Sequence, residues 1–226
     1  AALLDAVSTI HERRKKPIRF IQASSSEIFG ANAENPISET SAINPTNPYG
    51  SSKAGAHLLT SSYRQSGIHA ANAILFNHES PRRPATFVTR KITKAAAMIS
   101  LGLQQKLNLG DISIQRDWGW APDYSHALRL MLEDGSPHDY VISTGISHSI
   151  KEFVEIAFET VGISNWEKFV RSDESLIRKT ENPAVVGNSE KILASLGWQP
   201  TINFEQIVKN MTISDLEQIK SSHLTS

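Results

Sequence analysis

IRFIQASSSE, residues 18–27, is the stretch of sequence that decides the fold. Its first part, Ile18–Ala23, predicts a buried strand, and the remainder is polar. Residues two apart share a face in an extended chain, so we expect Ser25 and Glu27 to point the same way. Open α/β sheets bind ligands at the carboxyl ends of their strands, which makes both residues candidate catalytic groups. A serine-rich turn with a solvated glutamate is the alternative.

A second candidate pair lies in NPYGSSK, residues 47–53. Tyr49 and Lys53 are four residues apart and share one face of the helix predicted over Tyr49–Gln65. A free tyrosine has a pKa near ~10, and a neighbouring ammonium lowers it. The pair is therefore suited to take a proton from a hydroxyl while hydride leaves the same carbon. Because Y-x-x-x-K is common by chance, a surface tyrosine beside a solvated lysine is the alternative.

Strands and helices alternate along the rest of the chain. Helices are predicted over 2–12, 49–65, 87–101, 124–132, 149–161 and 190–196 and from 204 onward, and strands over 18–23, 70–76, 107–109 and 140–143. Residues 24–46 and 77–84 are predicted as polar loops, and Ser149 with Glu152 predicts a capping box. This alternation is typical of an α/β fold with a parallel sheet.

Composition excludes several classes of function. Lys plus Arg (23) equals Asp plus Glu (23), so nothing favours binding to nucleic acid or to an acidic membrane. The absence of cysteine excludes a disulfide scaffold and a cysteine-based zinc site. No apolar run approaches the ~20 residues that cross a bilayer, and residues 1–10 do not resemble a signal peptide. We therefore expect a cytoplasmic protein with no membrane or nucleic-acid partner and no metal.

Together these motifs resemble the extended short-chain dehydrogenase/reductases of the nucleotide-sugar dehydratase type. More specific blocks are similar to those of the GDP-mannose 4,6-dehydratase family: NHESPRR at 77–83, FVTRKI at 87–92 and RDWG at 116–119. The resemblance extends from Ala1 to about Glu217. It implies a partial Rossmann-type parallel sheet with a smaller α/β substrate domain. The NADP-binding domain would comprise 1–76 and 117–147, and the nucleotide-sugar domain 77–116 and 148–226.

The resemblance also implies a reaction, the conversion of GDP-mannose to GDP-4-keto-6-deoxymannose and water, which supplies GDP-deoxysugars such as GDP-fucose. Tyr49 would deprotonate the C4 hydroxyl as hydride passes to NADP, and Lys53 would bind the nicotinamide ribose. Glu27 would remove the C5 proton, after which water leaves from C6 and the hydride returns there. Ser25 stands where the family has threonine and would hydrogen-bond the reacting sugar oxygen.

Binding residues are implied in the same way. His78 and Arg83 would contact the cofactor, and Arg83 would favour the 2′-phosphate of NADP over NAD. Five residues would hold the GDP-sugar: Asn77, Lys91, Arg116, Arg178 and Glu181. The family also implies a homo-oligomer, a dimer or tetramer.

One departure concerns the glycine fingerprint G-x-x-G-x-x-G, which opens the family's chain, binds the cofactor pyrophosphate and is absent here. At about 30 residues per βαβ unit, roughly a hundred residues are expected to precede Ala1, and we expect this chain alone to bind NADP weakly and not to turn over.

Two alternatives to a dehydratase stay open. One is an epimerase or 4-reductase, which needs Tyr49 and Lys53 but not Glu27; the other is a non-catalytic fragment that binds GDP-sugar or pairs with intact subunits.

Overall fold

The computed structural model describes residues 1–13, 18–30, 33–176 and 186–224. The helices are α1 (Ala2–Arg13), α2 (Pro48–Gln65), α3 (Val88–Ser100), α4 (Ala121–Glu133), α5 (Ile150–Thr160), α6 (Glu190–Leu196) and α7 (Phe204–Leu224). The strands are β1 (Phe20–Ser25), β2 (Ala70–Leu75), β3 (Asn77–Glu79), β4 (Leu107–Leu109), β5 (Gln115–Arg116), β6 (Trp118–Trp120), β7 (Tyr140–Ile142), β8 (His148–Ser149) and β9 (Val170–Ser172). Single 3₁₀ turns cover Ser26–Phe29, Trp166–Lys168 and Glu174–Leu176.

A parallel three-stranded sheet, in the order β1-β2-β7, is the centre of the fold. Its register pairs Phe20 with Ala70 and Ser25 with Leu75, and it pairs Leu75 with Ile142. The middle strand, β2, is apolar and buried over nearly its whole length, as expected for a parallel sheet covered by helices on its faces. The three carboxyl ends therefore meet at one edge, and the predicted α/β fold class is confirmed.

Two large clusters of buried apolar side chains stabilise the chain. The first joins the sheet to α2 and α4 and includes Ala54, Ala73, Ile74, Tyr124, Met131, Val141 and Trp198. The second joins α3, α5 and α7 to β4 and β6 and includes Ile92, Leu107, Trp118, Phe153, Phe158, Ile207 and Met211. Each cluster buries enough apolar surface to act as a hydrophobic core.

The predicted helices and the four predicted strands are confirmed, with boundaries that shift by a few residues. The largest shift among the strands is at β1, which begins at Phe20 and continues to Ser25. The capping box of α5 is present, since the Ser149 hydroxyl accepts from the Glu152 amide at 3.1 Å and Glu152 Oε2 accepts from the Ser149 amide at 2.6 Å. The prediction of a polar loop over 77–84 is wrong at Asn77–Glu79, which forms β3; strands of two or three residues are too short to show a period.

Within the described part of the chain, no helix has the length and apolar character that crossing a bilayer requires.

Candidate active site

Ser25 and Glu27 lie where β1 ends, but their geometry differs from the prediction. Ser25 is the last residue of the strand, and its hydroxyl accepts from the Glu27 amide at 3.2 Å, which caps the 3₁₀ turn Ser26–Phe29. The expected extended conformation through Glu27 is therefore wrong, because a serine that bonds a nearby backbone amide favours a turn over a strand. Ser25 is buried, whereas the Glu27 side chain is exposed.

The Glu27 carboxylate is fixed by the start of α2. Asn47 Nδ2 donates to Glu27 Oε2 at 2.8 Å, while Asn47 Oδ1 caps the helix by accepting from the Gly50 amide at 2.8 Å. A Cβ atom at Gly50 would lie 2.5 Å from the Glu27 carbonyl oxygen, so only glycine permits this close approach. Asn47 therefore holds a carboxylate and a helix start together, a role that the sequence analysis missed although Asn before Pro is a typical helix-start signal.

Tyr49 and Lys53 lie on α2 beside the same strand end. The Lys53 ammonium donates to the Ala23 carbonyl at 2.9 Å and lies 5.6 Å from the centre of the Tyr49 ring. Tyr49 is 56% exposed. The structure thus brings a phenol, an ammonium and a carboxylate to one end of β1, a set of groups that can exchange protons with a bound sugar.

His78 continues from the carboxyl end of β2 into the short strand β3. Its ring stacks on Tyr124, with 4.8 Å between centroids, and its Nδ1 lies 2.8 Å from the Phe76 carbonyl oxygen. Burial lowers the pKa of His78, the bond to Phe76 opposes this, and the charge of Arg83 lowers it further. The carbonyl can only accept, so the network assigns the proton to Nδ1 and leaves Nε2 as an acceptor.

Arg83 is oriented by two neighbours. Its Nε lies 3.4 Å from Glu79 Oε2, and its guanidinium lies 3.7 Å from the centre of the Phe87 ring. Glu79 is only 1% exposed and also accepts from Thr89 Oγ1 at 2.8 Å. Sequence reasoning missed Glu79 as a functional neighbour, since its burial depends on packing between distant segments.

Replacing Glu79 with glutamine should change how stability depends on pH. Burial raises the pKa of Glu79 from 4.5 to about 7, although Arg83 and Thr89 both oppose the shift. A carboxyl whose pKa is raised on folding stabilises the fold below its unfolded pKa, and this contribution is lost as pH rises through the folded pKa. We expect the stability of the wild-type protein relative to Glu79→Gln to fall by about 3 kcal/mol between pH 4.5 and 8. Urea unfolding of both proteins across this pH range measures the difference between their free energies of unfolding. A difference that does not change with pH would contradict the prediction.

Three of the remaining predicted ligand residues lie on described elements: Asn77 on β3, Arg116 on β5 and Lys91 on α3. Asn77 pairs with Trp118 in the β3–β6 ladder, and Trp118 follows Arg116, the last residue of β5, by two positions. Lys91 on α3 donates to the Asn108 carbonyl at 2.6 Å, and it lines an open groove of about 380 Å³ with two further lysines, Lys94 and Lys106. Arg178 and Glu181, the other two predicted substrate residues, lie outside the described residues.

Asp117 is a buried carboxylate that organises this region and that the sequence analysis quoted only within the RDWG block. It accepts from the amide and hydroxyl of Thr144, at 2.9 and 2.6 Å, and from the amide of Gly145 at 2.9 Å. It also accepts from Gly187, where a Cβ would lie 2.6 Å from the Ser143 side chain. Burial raises the pKa of Asp117, and these hydrogen bonds oppose the rise. The carboxylate therefore joins β5 and β6 to the loop that follows β7.

The fold and the paired tyrosine and lysine define a short-chain dehydrogenase/reductase of the Rossmann type. Solved structures share this fold. RMD from Pseudomonas aeruginosa, complexed with NADPH, has a TM-score of 0.83 at 25% identity, over 95% of this chain and 71% of that one. A dTDP-glucose 4,6-dehydratase from Bacillus anthracis, in complex with NAD, has a TM-score of 0.83 at 22% identity, over 96% of this chain and 66% of that one.

The chain belongs to the GDP-mannose 4,6-dehydratase family, whose model matches residues 1–211. GDP-mannose 4,6 dehydratase 1 of Arabidopsis thaliana is 47% identical over 96% of this chain and 60% of its own length. The human GDP-mannose 4,6 dehydratase is 38% identical over 97% of this chain and 63% of its own length. The chain thus spans about three-fifths of the length of these relatives.

Proposed function

We propose that this chain contains the catalytic residues of a GDP-mannose 4,6-dehydratase, which converts GDP-mannose to GDP-4-keto-6-deoxymannose and water with NADP as cofactor. The observation that carries the proposal is the Glu27 carboxylate, fixed by Asn47 at the strand end where Tyr49 and Lys53 also lie. Because the chain spans only part of the length of its relatives, the activity is proposed for the full translation product of the gene.

The residues at the end of β1 divide the proton transfers between them. Tyr49, beside the Lys53 ammonium, takes the proton from the C4 hydroxyl. Glu27 then removes the C5 proton, which a ketone at C4 makes acidic, and Ser25 hydrogen-bonds the reacting sugar oxygen. Bound nicotinamide supplies the chemistry of accepting a hydride and returning it, so no external reductant is consumed.

The donors and acceptors beside this site fit a nicotinamide dinucleotide phosphate. His78 presents Nε2 as an acceptor, and Arg83 offers an oriented guanidinium to a phosphate. We assign the 2′-phosphate of NADP to Arg83, since a planar guanidinium pairs with phosphate through charge-assisted hydrogen bonds.

Arg83→Ala is expected to weaken NADPH binding about tenfold or more, because a hydrogen bond to a charged group contributes about 1.5–3 kcal/mol. NADH affinity should change much less, since NADH lacks the phosphate. Titration calorimetry of the full translation product with NADPH and with NADH measures the ratio of the two affinities. The substitution Arg82→Ala, at the exposed neighbouring arginine, is the matched control. Equal losses for NADPH and NADH would contradict the assignment of Arg83.

The nucleotide sugar is assigned to the region around β3, β5 and α3. Asn77, Lys91 and Arg116 lie there among the described residues, and the open, lysine-lined groove beside Lys91 suits an anionic ligand. In this proposal the substrate domain comprises 77–116 and 148–226, and Arg178 and Glu181 complete its site. The cofactor domain comprises 1–76 and 117–147.

We further propose a cytoplasmic homo-oligomer. Four apolar side chains on α1 and α2 are exposed, which suits burial against a second copy: Leu3, Ile10, Leu58 and Leu59.

The test is incubation of the full translation product with GDP-mannose and NADP⁺. Mass spectrometry should show a product lighter by one water, and NMR should show a C4 ketone and a C6 methyl group. A C4 epimer of unchanged mass would instead indicate an epimerase. A reductase would leave GDP-mannose unchanged in this reaction, and in a second reaction supplied with a 4-keto nucleotide sugar and NADPH it would form the C4 alcohol. Binding of GDP-mannose without turnover would favour the non-catalytic alternative.

A further inference from the structure

A buried hydrogen bond behind the candidate active site has no part in the proposed function. The Ser24 hydroxyl and His57 Nδ1 are 3.0 Å apart, and the two residues are only 2% and 7% exposed. Ser24 precedes Ser25 at the end of β1, and His57 follows Lys53 by one turn of α2. The bond therefore joins the strand that positions Ser25 to the helix that positions Tyr49 and Lys53.

Two other side-chain hydrogen bonds connect the end of β1 and its 3₁₀ turn to α2 and the residue that caps it. Lys53 donates to the Ala23 carbonyl at 2.9 Å, and Asn47 donates to Glu27 at 2.8 Å. In the proposed reaction both involve groups that contact the cofactor or the sugar, so ligand binding changes their surroundings. The buried bond is shielded from water and ligand, and a hydrogen bond in such a low-dielectric setting is strong and costly to leave unmade.

His57 is itself fixed by a polar network. Its Nε2 lies 3.8 Å from Asp139 Oδ2, and its carbonyl accepts from Asn72 Nδ2 at 3.3 Å. Asp139 in turn accepts from the Arg64 guanidinium at 2.5 and 2.7 Å and from the Asn72 amide at 2.7 Å. Burial lowers the pKa of His57; the Asp139 charge opposes the shift and the Arg64 charge adds to it. The neutral ring that results has one donor and one acceptor nitrogen.

We propose that His57 is a positioning residue for the proton-transfer site, which acts through Ser24 to set the place of Ser25 and Glu27 relative to Tyr49. The inference rests on the proposed dehydratase function and deepens it. Catalytic groups must lie within about 0.5 Å of the productive geometry, and neighbours with fixed rotamers provide that precision. A misplacement of about 1 Å, caused far from the reacting atoms, costs about a hundredfold in rate.

Three substitutions of His57 separate its hydrogen bond from its bulk. The side-chain amide of His57→Asn lies near the position of the former Nδ1, and that of His57→Gln lies near the position of the former Nε2. His57→Leu has no polar side-chain atom at either position. In the full translation product we expect kcat for GDP-mannose dehydration to stay within about threefold in His57→Asn. It should fall about 10- to 100-fold in the other two, with KM for GDP-mannose within about twofold in all three.

Two serine substitutions supply the matched control. Ser24→Ala removes the partner of His57 directly and should lower kcat to the same extent as His57→Leu. Ser61 belongs to the same network, where it accepts from Asn72 at 3.2 Å and donates to the His57 carbonyl at 3.1 Å. Ser24→Ala and Ser61→Ala should both reduce the melting temperature, and in Ser61→Ala kcat should stay unchanged. The double variant Ser24→Ala/His57→Leu should lose no more than either single variant, because both break one interaction.

The inference is overturned if His57→Asn and His57→Leu have equal kcat, or if Ser24→Ala and Ser61→Ala have equal effects on kcat. Crystal structures of the Asn and Leu variants give a readout that needs no turnover. The position of Ser25 and Glu27 relative to Tyr49 should be kept in His57→Asn and displaced in His57→Leu. An unmoved site in both contradicts the positioning role even if the wild-type protein fails to dehydrate GDP-mannose, a failure that would count against the proposed function alone.

Discussion

In the full translation product, Glu27→Gln should lower the rate of dehydration about 10²- to 10⁴-fold, the usual contribution of a general base. The amide oxygen can still accept from Asn47 Nδ2, so the side chain keeps its place and loses only its basicity. In the proposed reaction, removal of the C4 hydrogen depends on Tyr49 and Lys53 and should continue. The variant should therefore still reduce the nicotinamide in a single turnover but release no dehydrated sugar.

Deuterium exchange gives the sharper measurement of this prediction. In D₂O the wild-type protein should place solvent deuterium at C5 of the product, whereas Glu27→Gln should lose this exchange and the loss of water together. The matched control is Glu34→Gln, a change at an exposed glutamate nearby. Dehydration by Glu27→Gln at close to the wild-type rate would rule out Glu27 as the C5 base.

Asp215→Asn should destabilise the protein by about 3–5 kcal/mol, the cost of removing one partner from a buried ion pair. Asp215 is 1% exposed and accepts from Arg90 Nε at 2.9 Å and from Thr93 Oγ1 at 2.6 Å. The same guanidinium donates to the carbonyl oxygens of Pro81 and Arg83. The variant would therefore leave a buried cation uncompensated, between α3, α7 and the segment that contains Arg83.

Urea unfolding at neutral pH measures this loss as a lower midpoint. The control Glu133→Gln removes the partner of Arg129 in a pair whose side chains are 60% and 57% exposed, and exposed pairs contribute only about 0–1 kcal/mol. Equal destabilisation by the two substitutions would show that burial of the Arg90–Asp215 pair is not what stabilises α7.

Since Arg90 also contacts the backbone at Arg83, Asp215→Asn should weaken NADPH binding as well.

The elements with strong local signals were predictable from sequence. The capping box at Ser149 and Glu152 fixes the start of α5, and Gly197, in the left-handed backbone conformation, ends α6. Both signals act within one helical turn and are therefore visible in the local sequence. The end of β1 was misjudged, because Ser25 is compatible both with a strand and with the capping of a turn. The contact between Asn47 and Glu27, twenty residues apart, favours the turn and could not be read from the local sequence.

Most of what surrounds the candidate site was beyond prediction, for a different reason. Glu79, Asp117 and His57 are polar residues that become buried only when segments far apart in the chain pack together. The local sequence does not distinguish a buried carboxylate from a solvated one. The difference lies in desolvation and in hydrogen-bond and ion-pair partners that other elements supply. The family resemblance supplied the names of His78 and Arg83, but not the Glu79 and Phe87 contacts that orient Arg83.

The two buried clusters contain different indoles, which gives the molecule built-in optical reporters. Trp198 belongs to the cluster around the sheet, where its Nε1 donates to the Asp123 carbonyl at 2.8 Å. Trp118 belongs to the cluster of α3, α5 and α7, where it stacks on Phe204 with 5.8 Å between centroids. Single-tryptophan versions would let fluorescence follow each core separately, so that the coincidence of the two melting curves becomes a direct measure of cooperativity between them.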